Sequence, residues 1–255
     1  MLCLTITPIR HAMARLLTDY KVLTFDCYGT LIDWETGIWD ALQPLLMHNQ
    51  CDSIDRITAL SRFSHYESAQ ESATPDMHYS ELLSRVHASI AEDLKLATEP
   101  ALNTRFGQSV PHWPAFPDTA DALRLLKQHY KLVILSNVHR EGFAASNRKL
   151  GVEFDAVYTA QDIGSYKPAA ANFDYLLTHL QLNLGLQHDD ILHTAQSLHH
   201  DHVPARKAGL ANAWIDRQQL SQGGNWGATA EVTEKPDVDF LYFSLMEMAQ
   251  AVQQT

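Results

Sequence analysis

Cysteine is scarce in this chain: only three occur in 255 residues, namely Cys3, Cys27 and Cys51. They are odd in number, widely separated, and no two have the spacing of a CxxC motif. This pattern argues against a disulfide framework and against a zinc ribbon, and it is typical of a reducing compartment. We therefore expect a cytoplasmic protein.

Positive charge is also in short supply, with 19 Lys and Arg against 30 Asp and Glu and a formal net charge of −11. Nucleic acids and anionic membranes are bound by basic faces, so we expect neither as a partner. No apolar run approaches the ~18–20 residues of a membrane span. Pro8, Arg10 and His11 interrupt the faintly apolar opening, so we do not expect a signal peptide. We interpret residues 1–17 as an N-terminal extension, with Met13 as an alternative start.

Short apolar runs rich in β-branched residues recur along the chain, as expected for strands buried on both faces. They lie at 21–25, 131–136, 154–159, 190–195 and 211–216. Helical patterns separate them at 119–130, 143–151, 171–182 and 202–210. This alternation predicts an α/β fold with a doubly wound parallel, Rossmann-like sheet.

One long segment breaks the alternation. Residues 36–109 contain no strand pattern and read as four helical pieces, at 36–48, 54–72, 78–96 and 99–109. The segment is too long for a single crossover, so we predict an all-helical cap domain inserted into a core formed by 18–35 and 110–255. A glycine-rich loop over 221–237 and a last helix over 243–252 complete the predicted core.

Polar residues follow the predicted strands where the strands end. In an open parallel sheet, ligands bind beyond the carboxyl ends of the strands. Each residue also has an ordinary structural explanation, since Asp26 can cap a turn and Ser136 or Asp201 can begin a helix. Their coincidence nevertheless predicts a site built from Asp26, Thr30, Ser136, Asn137, Lys167 and Asp201.

The segments "FDCYGTL", "LVILSN" and "GSYKP", followed by Asp201, resemble the four motifs of the haloacid dehalogenase-like hydrolase superfamily. The resemblance spans roughly residues 20–216 and includes the position of the cap. Most members are magnesium phosphatases, whose first motif is Asp-x-Asp and whose second Asp is a general acid. This chain has Tyr28 at that position, as do the L-2-haloacid dehalogenases, which act on carbon.

The resemblance implies a hydrolase that forms an ester between Asp26 and C2 of a small carboxylate substrate and displaces halide. A halide leaves without a proton, so no acid is needed at position 28. Lys167 would keep Asp26 ionised, and Asp201 would guide the water that hydrolyses the ester. Without the second Asp, a magnesium site loses a hard oxygen ligand, and we expect neither a metal nor a cofactor. Relatives are often dimers, so by resemblance we expect a homodimer.

Further residues are expected to contact the substrate. Thr30 and Ser136 would hold its carboxylate, while Asn137 and the cap residue Arg62 would surround the leaving group. Arg56 and Arg85 are alternatives for the arginine. The complete set of predicted substrate-binding residues is Tyr28, Thr30, Arg62, Ser136, Asn137, Ser197 and His200.

The chain also departs from the dehalogenase pattern. Gln196 and Leu198 replace a serine and an asparagine, and Phe173 stands where a dehalogenase has tyrosine. The longer string "DILHTAQSLHHDHVPA" is very similar to a subgroup that includes L-azetidine-2-carboxylate hydrolase, which opens a strained ring. That reaction is our alternative. An acidic or aromatic lining, for which Trp34, Trp39 and Trp113 are candidates, would suit its cationic leaving group.

Three other hypotheses carry less weight. A magnesium phosphatase would lack its general acid, and a non-catalytic binding module would not need Asp26, Lys167 and Asp201 together. The histidines between His193 and His202 could bind zinc by their number alone, but neither a cysteine nor a second cluster joins them.

Overall fold

A computed structural model describes residues 15–254 of the protein. The predictions for the first 14 residues, including the alternative start at Met13, lie outside this range. No helix within residues 15–254 is long and apolar enough to cross a membrane.

The core is a six-stranded sheet in which every neighbouring pair of strands is parallel, with the order β3-β2-β1-β4-β5-β6. The prediction of a doubly wound α/β fold is confirmed. The chain order reverses between β1 and β4, which is where open sheets of this class form their ligand crevice. The strands are β1 Val22–Phe25, β2 Lys131–Ser136, β3 Ala156–Thr159, β4 Ile191–Ala195, β5 Ala211–Ile215 and β6 Phe240–Tyr242.

Five of these strands coincide with the predicted apolar runs. The sixth, β6, was not predicted, because three residues at the edge of a sheet are too few to show a periodic pattern. Every residue of β1 and β4 is buried. These central strands are covered by hydrophobic clusters on both faces, which explains why their sequences do not alternate between apolar and polar residues.

The segment predicted as a cap contains four helices and no strand: α1 Trp34–His48, α2 Arg56–Ala73, α3 Tyr79–Asp93 and α4 Pro100–Gly107. Aspartates begin the first two helices, since Asp33 accepts from the backbone N–H of Thr36 and Asp55 from that of Thr58. Leu60 and Phe63 of α2 are buried within the main core cluster.

The remaining helices lie between strands or after the last one. They are α5 Thr119–Leu126, α6 Arg140–Leu150, α7 Ala160–Ile163, α8 Ala170–Leu184, α9 Val203–Lys207 and α10 Leu245–Gln253. All of them except α7 coincide with predicted helices. The predicted helix at 202–210 is shorter than expected. A turn of π-helix, Leu198–His202, precedes it and carries Asp201.

Candidate active site

Asp26 directly follows the central strand β1, and a tight turn comes next. Gly29 has φ +100°, a conformation that other residues rarely adopt, and an added Cβ would lie 2.9 Å from the Nε1 atom of Trp34. The backbone N–H groups of Leu31 and Ile32 both donate to the carbonyl of Cys27, at 2.8 and 2.9 Å. This turn brings the Thr30 hydroxyl to Asp26, where it donates to Oδ2 at 2.7 Å.

Lys167 lies between the two predicted catalytic carboxylates and is 1% exposed. Its Nζ donates to Oδ1 of Asp26 at 2.8 Å, to Oδ1 of Asp201 at 2.7 Å and to the carbonyl of Leu135 at 3.1 Å. An ammonium has three hydrogens, so all of them are used. The structure therefore brings together all three residues that the sequence singles out for catalysis.

Opposing effects set the ionisation of this cluster. Burial raises the pKa of Asp26 above its ordinary value, and the positive charge of Lys167 counteracts the rise. Burial acts in the same direction on Asp201, but there the charge of Lys167 and the hydrogen bond from His193 prevail and hold its pKa well below the usual range. Burial alone would lower the pKa of Lys167, yet Asp201 and Asp26 raise it. The lysine is accordingly an ammonium at neutral pH.

Tyr28 faces the same space but cannot replace the missing acid. Its hydroxyl is 2.9 Å from Oγ of Ser146, and its ring packs edge-on against Trp113 with 5.5 Å between centroids. Burial raises the pKa of Tyr28 well above that of a free phenol. Tyr28 is thus a poor proton donor at neutral pH.

A cavity of about 70 Å³ opens above Asp26 and Lys167. One water needs ~10–15 Å³ on this measure, so the cavity accommodates about five to seven waters or a small organic acid. Its cap wall, from helices α2 and α3 of the segment predicted as a cap, carries Ser64, Glu67, Glu71 and Tyr79. Its core wall, from the rest of the chain, carries Tyr28, Trp34, Trp113, Asn137, Gln196, Ser197, His200 and Asp201. Trp34 and Trp113 thus line it as anticipated, whereas Trp39 does not.

Two carboxyl groups in the cap wall were not predicted. Glu67 accepts a hydrogen bond from the Tyr79 hydroxyl at 2.5 Å, and Glu71 accepts one from Nδ2 of Asn137 at 3.1 Å. Burial raises the pKa of Glu67 to about 7. Burial, reinforced by Glu67, raises that of Glu71 well above its ordinary value. Ser64, Glu67 and Glu71 do follow at helical spacing on one face of α2, but polar residues elsewhere on this helix obscure that pattern in the sequence.

The structure corrects the prediction for Arg62. Its Nε pairs with Oδ2 of Asp93 at 3.0 Å, its side chain is 47% exposed, and it does not line the cavity. Position 62 is two residues from Ser64, about 200° around the helix, so it projects away from the cavity-facing side. The alternatives are also elsewhere, since Arg56 donates to Thr36 and Arg85 to Glu81. Within the described residues, no arginine lines this cavity.

The other predicted substrate-binding residues fall into two groups. Asn137, Ser197 and His200 line the cavity, whereas Thr30 and Ser136 do not. Thr30 instead donates to Asp26, and the Ser136 hydroxyl accepts from the backbone N–H of Val138 at 3.1 Å. Burial lowers the pKa of His200 to about 4, so its imidazole is neutral at pH 7.

Three of the four carboxylate oxygens of Asp26 and Asp201 already accept hydrogen bonds, whereas Oδ2 of Asp201 does not. Magnesium requires a nearly octahedral shell of oxygen ligands. Oδ1 of both aspartates accepts from Lys167, Oδ2 of Asp26 accepts from Thr30, and the hydroxyl of Tyr28 pairs with Ser146. Across residues 15–254, no group of three or more His, Cys, Asp or Glu side chains is arranged to hold a metal.

A model of the haloacid dehalogenase-like hydrolase family matches residues 20–193. An (S)-2-haloacid dehalogenase of Pseudomonas putida is 24% identical over 86% of this chain and 92% of that protein. Another, from Pseudomonas fluorescens, is 24% identical over 83% of this chain and 88% of that protein.

Solved structures show the same likeness. An L-2-haloacid dehalogenase from Xanthobacter autotrophicus with chloropropionic acid covalently bound superposes with a TM-score of 0.72. The superposition covers 92% of this chain and 98% of that one, at 18% identity. At this identity the likeness establishes a common fold and nothing finer.

Proposed function

The chain belongs to the haloacid dehalogenase-like hydrolase family, and from that premise we propose that it displaces a leaving group from C2 of a small carboxylic acid through an ester on Asp26. The observation that carries the proposal is the pairing of Asp26 with Lys167 at 2.8 Å, with a half-buried tyrosine at position 28. An ionised carboxylate can act as a nucleophile, and a phenol of raised pKa is a weak general acid, which favours leaving groups that need no proton.

The first step is a displacement at saturated carbon. The Asp26 carboxylate attacks C2, the bond from C2 to the leaving group breaks, and the leaving group departs with the bonding pair. Lys167 keeps Asp26 ionised before the attack. The result is an aspartyl ester and, with a 2-haloacid, a halide ion.

The second step returns Asp26 to its starting form. Water guided by Asp201 attacks the carbonyl carbon of the ester; one of its protons passes to the departing alkoxide oxygen and the other is released to solvent. Negative charge then grows on the oxygen beside Lys167, whose ammonium stabilises it. The ester breaks at its acyl bond, releasing a 2-hydroxy acid and regenerating the carboxylate.

Halide is our first choice of leaving group. Its support is the similarity to proteins named (S)-2-haloacid dehalogenases and the size of the cavity, which suits an acid of about six non-hydrogen atoms.

The test is halide release from L-2-chloropropionate with and without chelator, and Asp26→Asn is the control. We expect release that is insensitive to chelator and lost in the variant. Phosphate release from p-nitrophenyl phosphate that depends on magnesium would contradict the proposal.

A ring amine is the second candidate, favoured by the cap wall. Glu67 and Glu71 stand where an arginine cradle was expected, and the only cation lining the cavity within the described chain, Lys167, is fully engaged. In L-azetidine-2-carboxylate, attack of Asp26 on C2 would break the bond from C2 to nitrogen. The nitrogen would keep the pair as an open-chain amine and take a proton, and hydrolysis of the ester would give a hydroxy amino acid.

Glu71→Gln separates the two candidates. Glutamine keeps an oxygen for Asn137 but cannot ionise when an ammonium approaches, and a hydrogen bond to a charged group is worth ~1.5–3 kcal/mol. We expect kcat/KM for azetidine-2-carboxylate to fall about 10- to 100-fold and that for L-2-chloropropionate to be unchanged or higher. An equal fall for both substrates would remove the support for a cationic leaving group.

A further inference from the structure

His193 is a completely buried titratable residue with no part in the proposed reaction. It lies on β4, where the register of the parallel pair sets it beside Thr24 of β1. Its Nδ1 is 2.9 Å from Oγ1 of Thr24, and its Nε2 is 3.0 Å from Oδ1 of Asp201. The ring of Phe173 packs edge-on against the imidazole, with 5.2 Å between centroids.

The direction of the hydrogen bond to Asp201 follows from the charge of its acceptor. An ionised carboxylate has no hydrogen to donate, so Nε2 of His193 must carry the hydrogen that Oδ1 accepts. The same oxygen accepts from Lys167. Asp201 is therefore held from two sides at one oxygen.

The other oxygen of Asp201 is in a different situation. Oδ2 is buried and has no hydrogen-bond partner among the described residues, although Asp201 lines the cavity. A buried carboxylate oxygen without a partner is costly and calls for an explanation. Rotation about χ2 would exchange the two oxygens, and the bond from His193 opposes that rotation.

We propose that His193 is a positioning residue, which fixes Oδ1 of Asp201 so that Oδ2 is kept free for the water that hydrolyses the Asp26 ester. The inference rests on the proposed function. It concerns only the second step, because the groups that serve ester formation, namely Asp26, Lys167 and Thr30, make no hydrogen bond with His193.

Two substitutions of His193 remove one hydrogen bond each. In His193→Gln the side-chain amide nitrogen reaches the place of Nε2 and retains the donor to Asp201. In His193→Asn the amide lies nearer the place of Nδ1, so the contact with Thr24 is kept and the one with Asp201 is lost. Both introduce a buried amide of similar polarity, which makes them a matched pair for stability.

The readout is the fate of the ester. With L-2-chloropropionate as probe, a rapid acid quench and intact mass spectrometry, we expect the first halide to be released at the wild-type rate in both variants. In His193→Asn the covalent adduct should accumulate and kcat should fall about 100-fold, as for other small misplacements of a catalytic group. His193→Gln should hydrolyse the adduct at nearly the wild-type rate. Equal losses in both variants, or losses already in halide release, would reduce His193 to a structural role and overturn the inference.

A second measurement does not depend on turnover. In ¹⁵N-labelled protein without substrate, we expect a slowly exchanging Nε2–H resonance that is absent from both variants and shifted in Asp201→Asn. Its absence from the wild type would overturn the inference at its first step. If the wild type shows this resonance but turns over neither L-2-chloropropionate nor azetidine-2-carboxylate, the proposed function fails while the anchoring of Asp201 stands.

Discussion

At the scale of single residues, the neighbours of Asp26 decide its chemistry. Lys167 supplies one positive charge to two buried carboxylates, which keeps Asp201 ionised and offsets the effect of burial on Asp26. Tyr28 places a phenol of raised pKa where phosphatases of the family carry an acid. Under the proposed function, the site combines a carboxylate nucleophile with a weak proton donor, a combination suited to leaving groups that depart unprotonated.

The burial of Glu67 makes the free energy of unfolding fall as pH rises. Burial raises its pKa to about 7 in the folded protein, above the ~4.3 of an unfolded chain. Between these values the folded state binds more protons than the unfolded state, so this residue lowers stability as pH rises from about 4.5 to 7. Above the pKa of Glu67 in the folded protein, this residue lowers the free energy of unfolding no further.

Glu67→Gln should abolish this contribution while keeping an acceptor for Tyr79. We expect the free energy of unfolding in urea to depend less on pH in the variant, so that its stability relative to wild type is higher at pH 8 than at pH 5. The comparison between proteins cancels the histidines that titrate in the same range. A relative stability that is constant across the range, or lower at pH 8, would contradict the assignment.

At the scale of elements, the sequence predicted best those elements whose hydrophobic pattern has a single structural explanation. Strands β1, β2, β4 and β5 are almost wholly buried, so their apolar runs were readable. The polar residues that follow β1, β3 and β4 located Asp26, Lys167 and Asp201. Helix α2 was harder, because polar residues occur all round it and its cavity-facing side could not be told from its exposed side. That ambiguity hid Glu67 and Glu71 and misplaced Arg62. The role of His193 was equally hidden, since it depends on a contact between strands.

The approach of helix α1 to Trp113 gives a prediction at this scale. An added Cβ on Gly37 would lie 2.2 Å from Cγ of Trp113, which is 1% exposed. Replacing glycine by alanine inside a helix usually gains ~1 kcal/mol, but overpacking costs ~1–3 kcal/mol. We expect Gly37→Ala to lower Tm by about 2–4 °C, since ~1 kcal/mol shifts a domain of this size by that amount. The control is Asp40→Ala, at an exposed position of the same helix, which should leave Tm almost unchanged. A higher Tm in Gly37→Ala would contradict the prediction and show that Trp113 shifts to accommodate the added methyl group at little cost.

At the scale of the whole molecule, the negative net charge influences how substrates of different charge approach the site. The chain carries a formal net charge of −11, which includes the carboxyl groups of Asp26, Asp201, Glu67 and Glu71 that line the cavity. An anionic substrate approaches against this field, whereas a zwitterion with no net charge is much less affected. Salt screens such repulsion over a Debye length of ~10 Å at 0.1 M.

Ionic strength should therefore distinguish substrates by charge. We expect kcat/KM for L-2-chloropropionate to rise about twofold or more as salt increases from low to moderate concentration. For azetidine-2-carboxylate it should change little. A fall for the haloacid would indicate a local positive potential at the entrance and would contradict this account of the field.

The central claim is that Asp26 itself forms a bond to carbon, and one turnover in ¹⁸O-water with enzyme in excess tests it most directly. The account predicts that the hydroxyl oxygen of the first product molecule comes from Asp26 and is unlabelled, while ¹⁸O appears in the Asp26 side chain. Label in the product of that first turnover, with none in Asp26, would mean that water attacks C2 directly and would contradict the account.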